Sequence, residues 1–178
     1  SAEVADGQWL WRLTWVGDTA YGVAYEGNAK PGTDRDGGKS FLVKSQDGLK
    51  YEKAATFSAS PRLTEAVIRA ESDGVMHCVH RRDRPAFSAL LGTAKPPYAD
   101  WVWHDSGFYF GGPNAVSYGG KWWACGRWVV GPAKTVLANV DFDTGTIEPV
   151  LDLPSGGDCS YPGVVVNGDE LWISYYSS

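Results

Sequence analysis

Cys159-Ser160-Tyr161-Pro162-Gly163-Val164-Val165-Val166-Asn167-Gly168-Asp169-Glu170-Leu171-Trp172-Ile173-Ser174-Tyr175-Tyr176 decides how this chain reads. An apolar run follows Tyr161, Asn167-Gly168 is a two-residue hairpin signal, and a second run returns to Tyr176. Three hairpins of the same build lie upstream. One residue stands at the mouth of each: Arg12, Glu65, Asn114 and, in the last, Tyr161.

Working outward, the strands group into blades. Residues 9–15, 20–25, 40–44 and 51–57 read as four antiparallel strands, with a long Gly-, Pro- and Asp-rich loop over 26–39. A second set, 64–104, turns at Glu71-Ser72-Asp73-Gly74, continues through a polar loop over 81–85, and adds strands at 86–92 and 101–104. A third set, 114–151, turns at Gly119-Gly120. The fourth, 161–176, holds two strands. Gly74, Gly120 and Gly168 are spaced 46 and 48 residues apart, within the range of propeller blades. The spacing predicts an all-β, single-domain partial propeller of about three and a half four-stranded blades, 9–57, 64–104, 114–151 and 161–176.

Composition agrees with that class. Nine Trp, nine Tyr and 22 Gly in 178 residues suit pleated surfaces joined by tight turns. A net charge of −5 offers no basic footprint for nucleic acid. No apolar run approaches the roughly 20 residues of a membrane-spanning helix, and the first residues do not read as a signal peptide. Cys78, Cys125 and Cys159 are odd in number and lack metal spacing, so they read as small buried hydrophobes. His77 and His80 alternate with Cys78 along a strand and read as strand-face residues rather than ligands. No metal or cofactor is expected.

Counting from the turns gives a candidate ring. Seven residues after Gly74, Gly120 and Gly168 come Arg81, Arg127 and Tyr175, and seven after Asp18 comes Tyr25. Side chains alternate along a strand, so an equal offset predicts one face and one height. Innermost strands of a propeller converge on a channel. The candidate site is therefore Arg12, Glu65, Arg81, Asn114, Arg127, Tyr161 and Tyr175.

These residues carry a resemblance. Glu65, an Asp-Gly turn and Arg81 sixteen residues on, then the Cys-Ser-Tyr-Pro segment ending in Tyr175-Tyr176, resemble the C-terminal half of a bacterial sialidase-like six-bladed propeller of the BNR-repeat kind. Ser45-x-Asp47-Gly48-x-x-Tyr51 resembles a degenerate Asp box, and Gly111-Gly112-Pro113-Asn114 with Gly126-Arg127 fits the same pattern. The family's tyrosine segment ends in Tyr-Glu, whereas this chain has Tyr-Tyr.

The resemblance implies a glycoside hydrolase acting on terminal sialic acid or a related acidic sugar. It makes Tyr161 the nucleophile and Glu65 its base, because a carboxylate nucleophile is repelled by the substrate's own carboxylate. Arg81 and Arg127 would grip that carboxylate, with Arg12, Asn114 and Tyr175 lining the pocket. The family's first arginine and its aspartate acid have no counterpart here. Asp34, Asp36 and Asp158 are loop carboxylates, none favoured over the others. A secreted or periplasmic location follows if the resemblance holds.

Blander readings stand beside this one. Arg81, Arg82 and Arg84 read equally as solvated loop charge, Tyr161 as a channel-filling aromatic, and Glu65 as a strand-end carboxylate. Two alternatives to the hydrolase stay open: a non-catalytic propeller that binds acidic glycans, and a self-assembling module. A partial ring exposes apolar faces at both ends, so a homodimer that completes the propeller is expected.

Overall fold

The computed structural model describes residues 7–26, 39–60, 62–84 and 86–178. Asp34, Asp36 and most of the loop expected over 26–39 lie outside them. Three of the four sheets have four strands each in simple antiparallel order. The first holds β1 (Gln8–Val16), β2 (Thr19–Glu26), β3 (Ser40–Ser45) and β4 (Glu52–Phe57). The second holds β5 (Leu63–Ala70), β6 (Met76–Arg82), β7 (Leu90–Ala94) and β8 (Val102–Asp105). The third holds β9 (Phe110–Tyr118), β10 (Lys121–Val129), β11 (Ala133–Asp141) and β12 (Thr146–Asp152). The last sheet pairs β13 (Cys159–Asn167) with β14 (Glu170–Ser177). The first strands lie side by side, β1 against β5, β5 against β9 and β9 against β13.

Alternation along each strand builds the cores between sheets. On β5, Ile68 joins Val23, Leu42 and Phe57 of the first sheet, while its neighbour Val67 joins Phe110, Val136 and Val140 of the third. Cys125, Leu137 and Val164 pack the third sheet on the last, with Leu171 and Ile173 against them. Cys78, Cys125 and Cys159 are free and buried in these layers. At the two ends of the row, Trp9 and Trp15 on one side and Val165 and Trp172 on the other are exposed.

Four expectations are corrected. Arg81 and Arg82 belong to β6 rather than to a polar loop, because Arg82 is held by Ser88, Asp105 and Ser60. The third strand of that sheet begins at Leu90, not at residue 86. Residues 86–89 bend back, with Phe87 at φ 66° and Ser88 N–H donating to Ala86 O. The last hairpin turns on Gly168-Asp169 instead of Asn167-Gly168, since Asn167 pairs with Glu170. β9 also starts earlier than expected, at Phe110.

The turn at 45–51 is held by one carboxylate. Asp47 Oδ1 accepts the N–H groups of Leu49 and Lys50 at 2.8 and 2.9 Å and the Ser45 hydroxyl at 2.9 Å. The Lys50 and Leu49 N–H groups, then Ser45, pull the Asp47 pKa down to about 2. A depressed carboxylate stabilises the fold above its unfolded pKa of about 4 and stops doing so as pH falls through about 2. The melting-temperature gap between wild type and Asp47→Ala should therefore close between pH 4 and pH 2. A gap constant over that range would contradict the assignment.

The two histidines beside Cys78 face opposite ways. His77 bonds Thr93 at 3.1 Å and Glu71 at 2.8 Å and stacks on Phe142. His80 is fully buried near Ser40 and Thr64 O, and burial pushes its pKa down to about 3. Among the described residues no group of three or more His, Cys, Asp or Glu could hold a metal ion. No helix among them is long and apolar enough to cross a membrane.

Candidate active site

The same irregularity recurs in every sheet. Pairing of the first strand with the second breaks between Leu10 and Leu13, Leu63 and Ala66, opposite Cys125–Arg127, and between Ser160 and Gly163. The extra residues are Trp11-Arg12, Thr64-Glu65, Gly112-Pro113 and Tyr161-Pro162. A β-bulge re-aims the side chains it carries, and such bulges cluster beside functional sites. Here they turn Arg12, Glu65 and Tyr161 toward one another. A sequence signal for two of them existed: Pro inside a strand is confined to edges, strand starts and bulges, and Pro113 and Pro162 mark the spots.

Glu65 is the hub. Its side chain is only 7% exposed. Oε1 accepts the Tyr161 hydroxyl at 2.8 Å across 96 residues of chain. Oε2 accepts Arg81 Nη1 at 2.7 Å and Gly112 N–H at 2.9 Å. Arg81 also donates to Asp83 Oδ1 at 2.9 Å. Burial opposes the Arg81 charge, but Glu65, Tyr109 and Asp83 outweigh it and raise the pKa. Burial, then the bond to Glu65, raises the Tyr161 pKa, so its hydroxyl keeps the proton at neutral pH. Tyr161 sits at φ 51°, a left-handed conformation that costs a non-glycine residue on the order of 1–3 kcal/mol.

Gly112 makes that contact workable. Its φ is +56°, and a Cβ there would lie 2.7 Å from both Ser160 Oγ and Tyr161 Cδ1. Gly112→Ala should displace Tyr161 and lower stability by about 1–3 kcal/mol. Thermal melting reads this, and an unchanged midpoint would refute the close approach.

A second polar group adjoins the first. Arg127 donates to Cys159 O at 2.7 Å, Asp158 Oδ1 at 2.5 Å and Tyr176 Oη at 2.8 Å. The Tyr176 hydroxyl donates to Asp158 Oδ2 at 2.7 Å, and that bond, ahead of burial, raises its pKa. The rings of Trp11, Tyr161 and Tyr176 follow one another with centroids 5.5 and 6.0 Å apart. Tyr175 does not reach this group, for its hydroxyl donates to Pro154 O at 2.7 Å. Gly120 is the second residue of its turn and Gly168 the first of its own. An equal count from each therefore lands one residue apart, and one residue changes the face. Sequence reasoning did not place Tyr176, Trp11 or Gly112 in the candidate site.

Arg12 donates from Nη2 to Pro162 O at 2.7 Å, and Asn114 Nδ2 donates to the same oxygen at 3.3 Å. Asn114 Oδ1 accepts from Arg69, another residue the sequence reading missed. Arg12 lines a cavity of about 520 Å³ together with Leu10, Trp11, Leu13 and Tyr161.

No family model matches the chain, and no curated protein matches it. Solved structures do. A protein of unknown function from Dyadobacter fermentans aligns at TM-score 0.70 and 18% identity over 90% of this chain and 46% of its own. The Bombyx mori GH32 β-fructofuranosidase gives 0.63 and 13% over 97% and 44%. A GH43 protein from Bacillus licheniformis gives 0.60 and 14% over 95% and 36%. The chain thus spans less than half the length of each. The fold is all-β, of four-stranded antiparallel sheets, and is shared with β-propeller glycoside hydrolases. None of these three is described as a sialidase, so the resemblance read from the sequence narrows to the propeller fold.

Proposed function

We propose that this chain carries a glycoside hydrolase site for a sugar bearing an acidic group, terminal sialic acid being the case the sequence resemblance suggests. The observation that supports it is the 2.8 Å bond from the Tyr161 hydroxyl to Glu65. A phenol is a weak nucleophile while protonated and needs a base within hydrogen-bond reach. Glu65 Oε1 is that base, and Arg81 and Gly112 fix its orientation through the other oxygen. As Tyr161 attacks the anomeric carbon, its proton passes to Glu65. The glycosyl–tyrosine bond forms on the face opposite the departing group, which leaves an activated aryl glycoside as the aryloxide. Water then attacks the anomeric carbon, the bond to Tyr161 breaks, and Glu65 returns its proton to Tyr161 while the water's spare proton goes to solvent, so the sugar is released with retention. The description of the Bombyx mori neighbour as a β-fructofuranosidase supports glycoside hydrolysis as the reaction class.

Release of fluorophore from an aryl sialoside tests the reading, and no turnover with any acidic aryl glycoside would overturn it. A second reading, binding without hydrolysis, is favoured by one feature: both Glu65 oxygens are engaged, and Arg127 is already paired with Asp158. Turnover and calorimetry on the same wild-type sample separate the two, since a binder takes up the acidic sugar but releases no fluorophore from its aryl glycoside. The proposal includes closure of the ring by a second copy, supported by the exposed Trp9, Trp15, Val165 and Trp172. Light scattering that finds a stable monomer at micromolar concentration would remove that part.

A further inference from the structure

The guanidinium groups around the site are unequally neutralised. Arg81 is bonded to two carboxylates, Glu65 and Asp83, and Arg127 to Asp158. Arg12 and Arg69 have only neutral oxygens: Pro162 O for Arg12, and Ala115 O, Thr14 Oγ1, Ile68 O and Asn114 Oδ1 for Arg69. Arg12 Nε is moreover one of several buried polar atoms without a partner among the described residues, and it leaves the Arg12 guanidinium less compensated than that of Arg81 or Arg127. Glu65 acts on Arg12 only through space, its oxygens being taken by Arg81, Gly112 and Tyr161.

The surroundings define what could supply the missing charge. The cavity beside Arg12 is a groove open to solvent, lined by Leu10, Trp11, Leu13 and Tyr161, with Leu13 and Tyr161 themselves exposed. It offers one cation on an otherwise apolar and aromatic lining. Burial first, then the neighbouring Arg12 charge, lowers Arg69 to about 10, which still leaves it charged at neutral pH.

We propose that this cavity binds the carboxylate of a ring-bearing acid on Arg12, with Arg69 behind it adding positive potential and Trp11 and Tyr161 flanking the ring. Arg81 and Arg127 then shape the site through their own carboxylates and do not contact the ligand's anionic group. The inference deepens the hydrolase reading by naming the residue that selects an acidic sugar.

The test compares N-acetylneuraminate and glucuronate with their neutral methyl esters, by calorimetry and tryptophan fluorescence. Sodium chloride is varied at fixed ionic strength to reveal a free anion in the same seat. Wild type should bind the acids at least about tenfold more tightly than the esters, the size of one charge-assisted contact. Arg12→Gln should lose that preference and Arg12→Lys keep part of it, with melting curves confirming that both fold. Chloride competing with the acids in wild type but not in Arg12→Gln would also support the seat. Equal binding of acid and ester by wild type, or a preference that survives in Arg12→Gln, overturns it. An acid preference lost in Arg12→Gln without any hydrolysis removes the hydrolase alone. Hydrolysis whose acid preference survives in Arg12→Gln removes this inference alone.

Discussion

Tyr161→Phe is expected to lower kcat on an aryl sialoside by about a thousandfold, with KM moving only a few-fold. Base-assisted proton transfer contributes about 10²–10⁴ in rate, and here the nucleophile is lost with it. The ring stays, so its contact with Trp11 and Tyr176 and its share of the cavity wall stay too. Ground-state binding should therefore be nearly preserved. The fold should lose little, since one hydrogen bond is worth about 1 kcal/mol net. Melting temperature and sugar binding are measured on the same sample to separate chemistry from damage. A variant that keeps most of its kcat would remove Tyr161 from the reaction.

Phe110→Ala should be the costliest single truncation for the fold, at about 3–5 kcal/mol. Phe110 is fully buried between the second and third sheets, among Val67, Leu91 and Val136, with Trp128 edge-on at 6.3 Å. Gly126 lies against its ring, where a Cβ would come within 2.7 Å, so the backbone is already close and cannot collapse far into the vacated space. At roughly 2–4 °C per kcal/mol for a chain of this size, the midpoint should fall by about 6–20 °C. Phe110 also precedes Gly111-Gly112, so the same change should loosen the N–H that holds Glu65. A fall of less than about 3 °C in calorimetry would show that the cavity is refilled.

The sequence determined what depends on near neighbours. Alternating apolar residues specify strands, Gly119-Gly120 and Gly17-Asp18 specify two-residue turns, and the recurrence of hairpins specifies repeated sheets. Strand edges shifted where a tertiary partner outweighed local polarity: Arg82 stays in β6 because Ser88 and Asp105 receive its guanidinium. The mouth residues Arg12, Glu65, Asn114 and Tyr161 were legible as a set because each stands at the start of a hairpin marked by local strand and turn signals. What joins them was not. Tyr161 meets Glu65 across 96 residues and Arg12 meets Pro162 across 150, through bulges whose extra residue changes the face of everything beyond it. For the same reason Tyr176 replaced Tyr175 beside Arg127. Which arginine keeps a free charge was likewise decided only in three dimensions. Neutralisation depends on a carboxylate standing within about 4 Å, and that distance is set by how sheets pack, not by the order of residues along a strand.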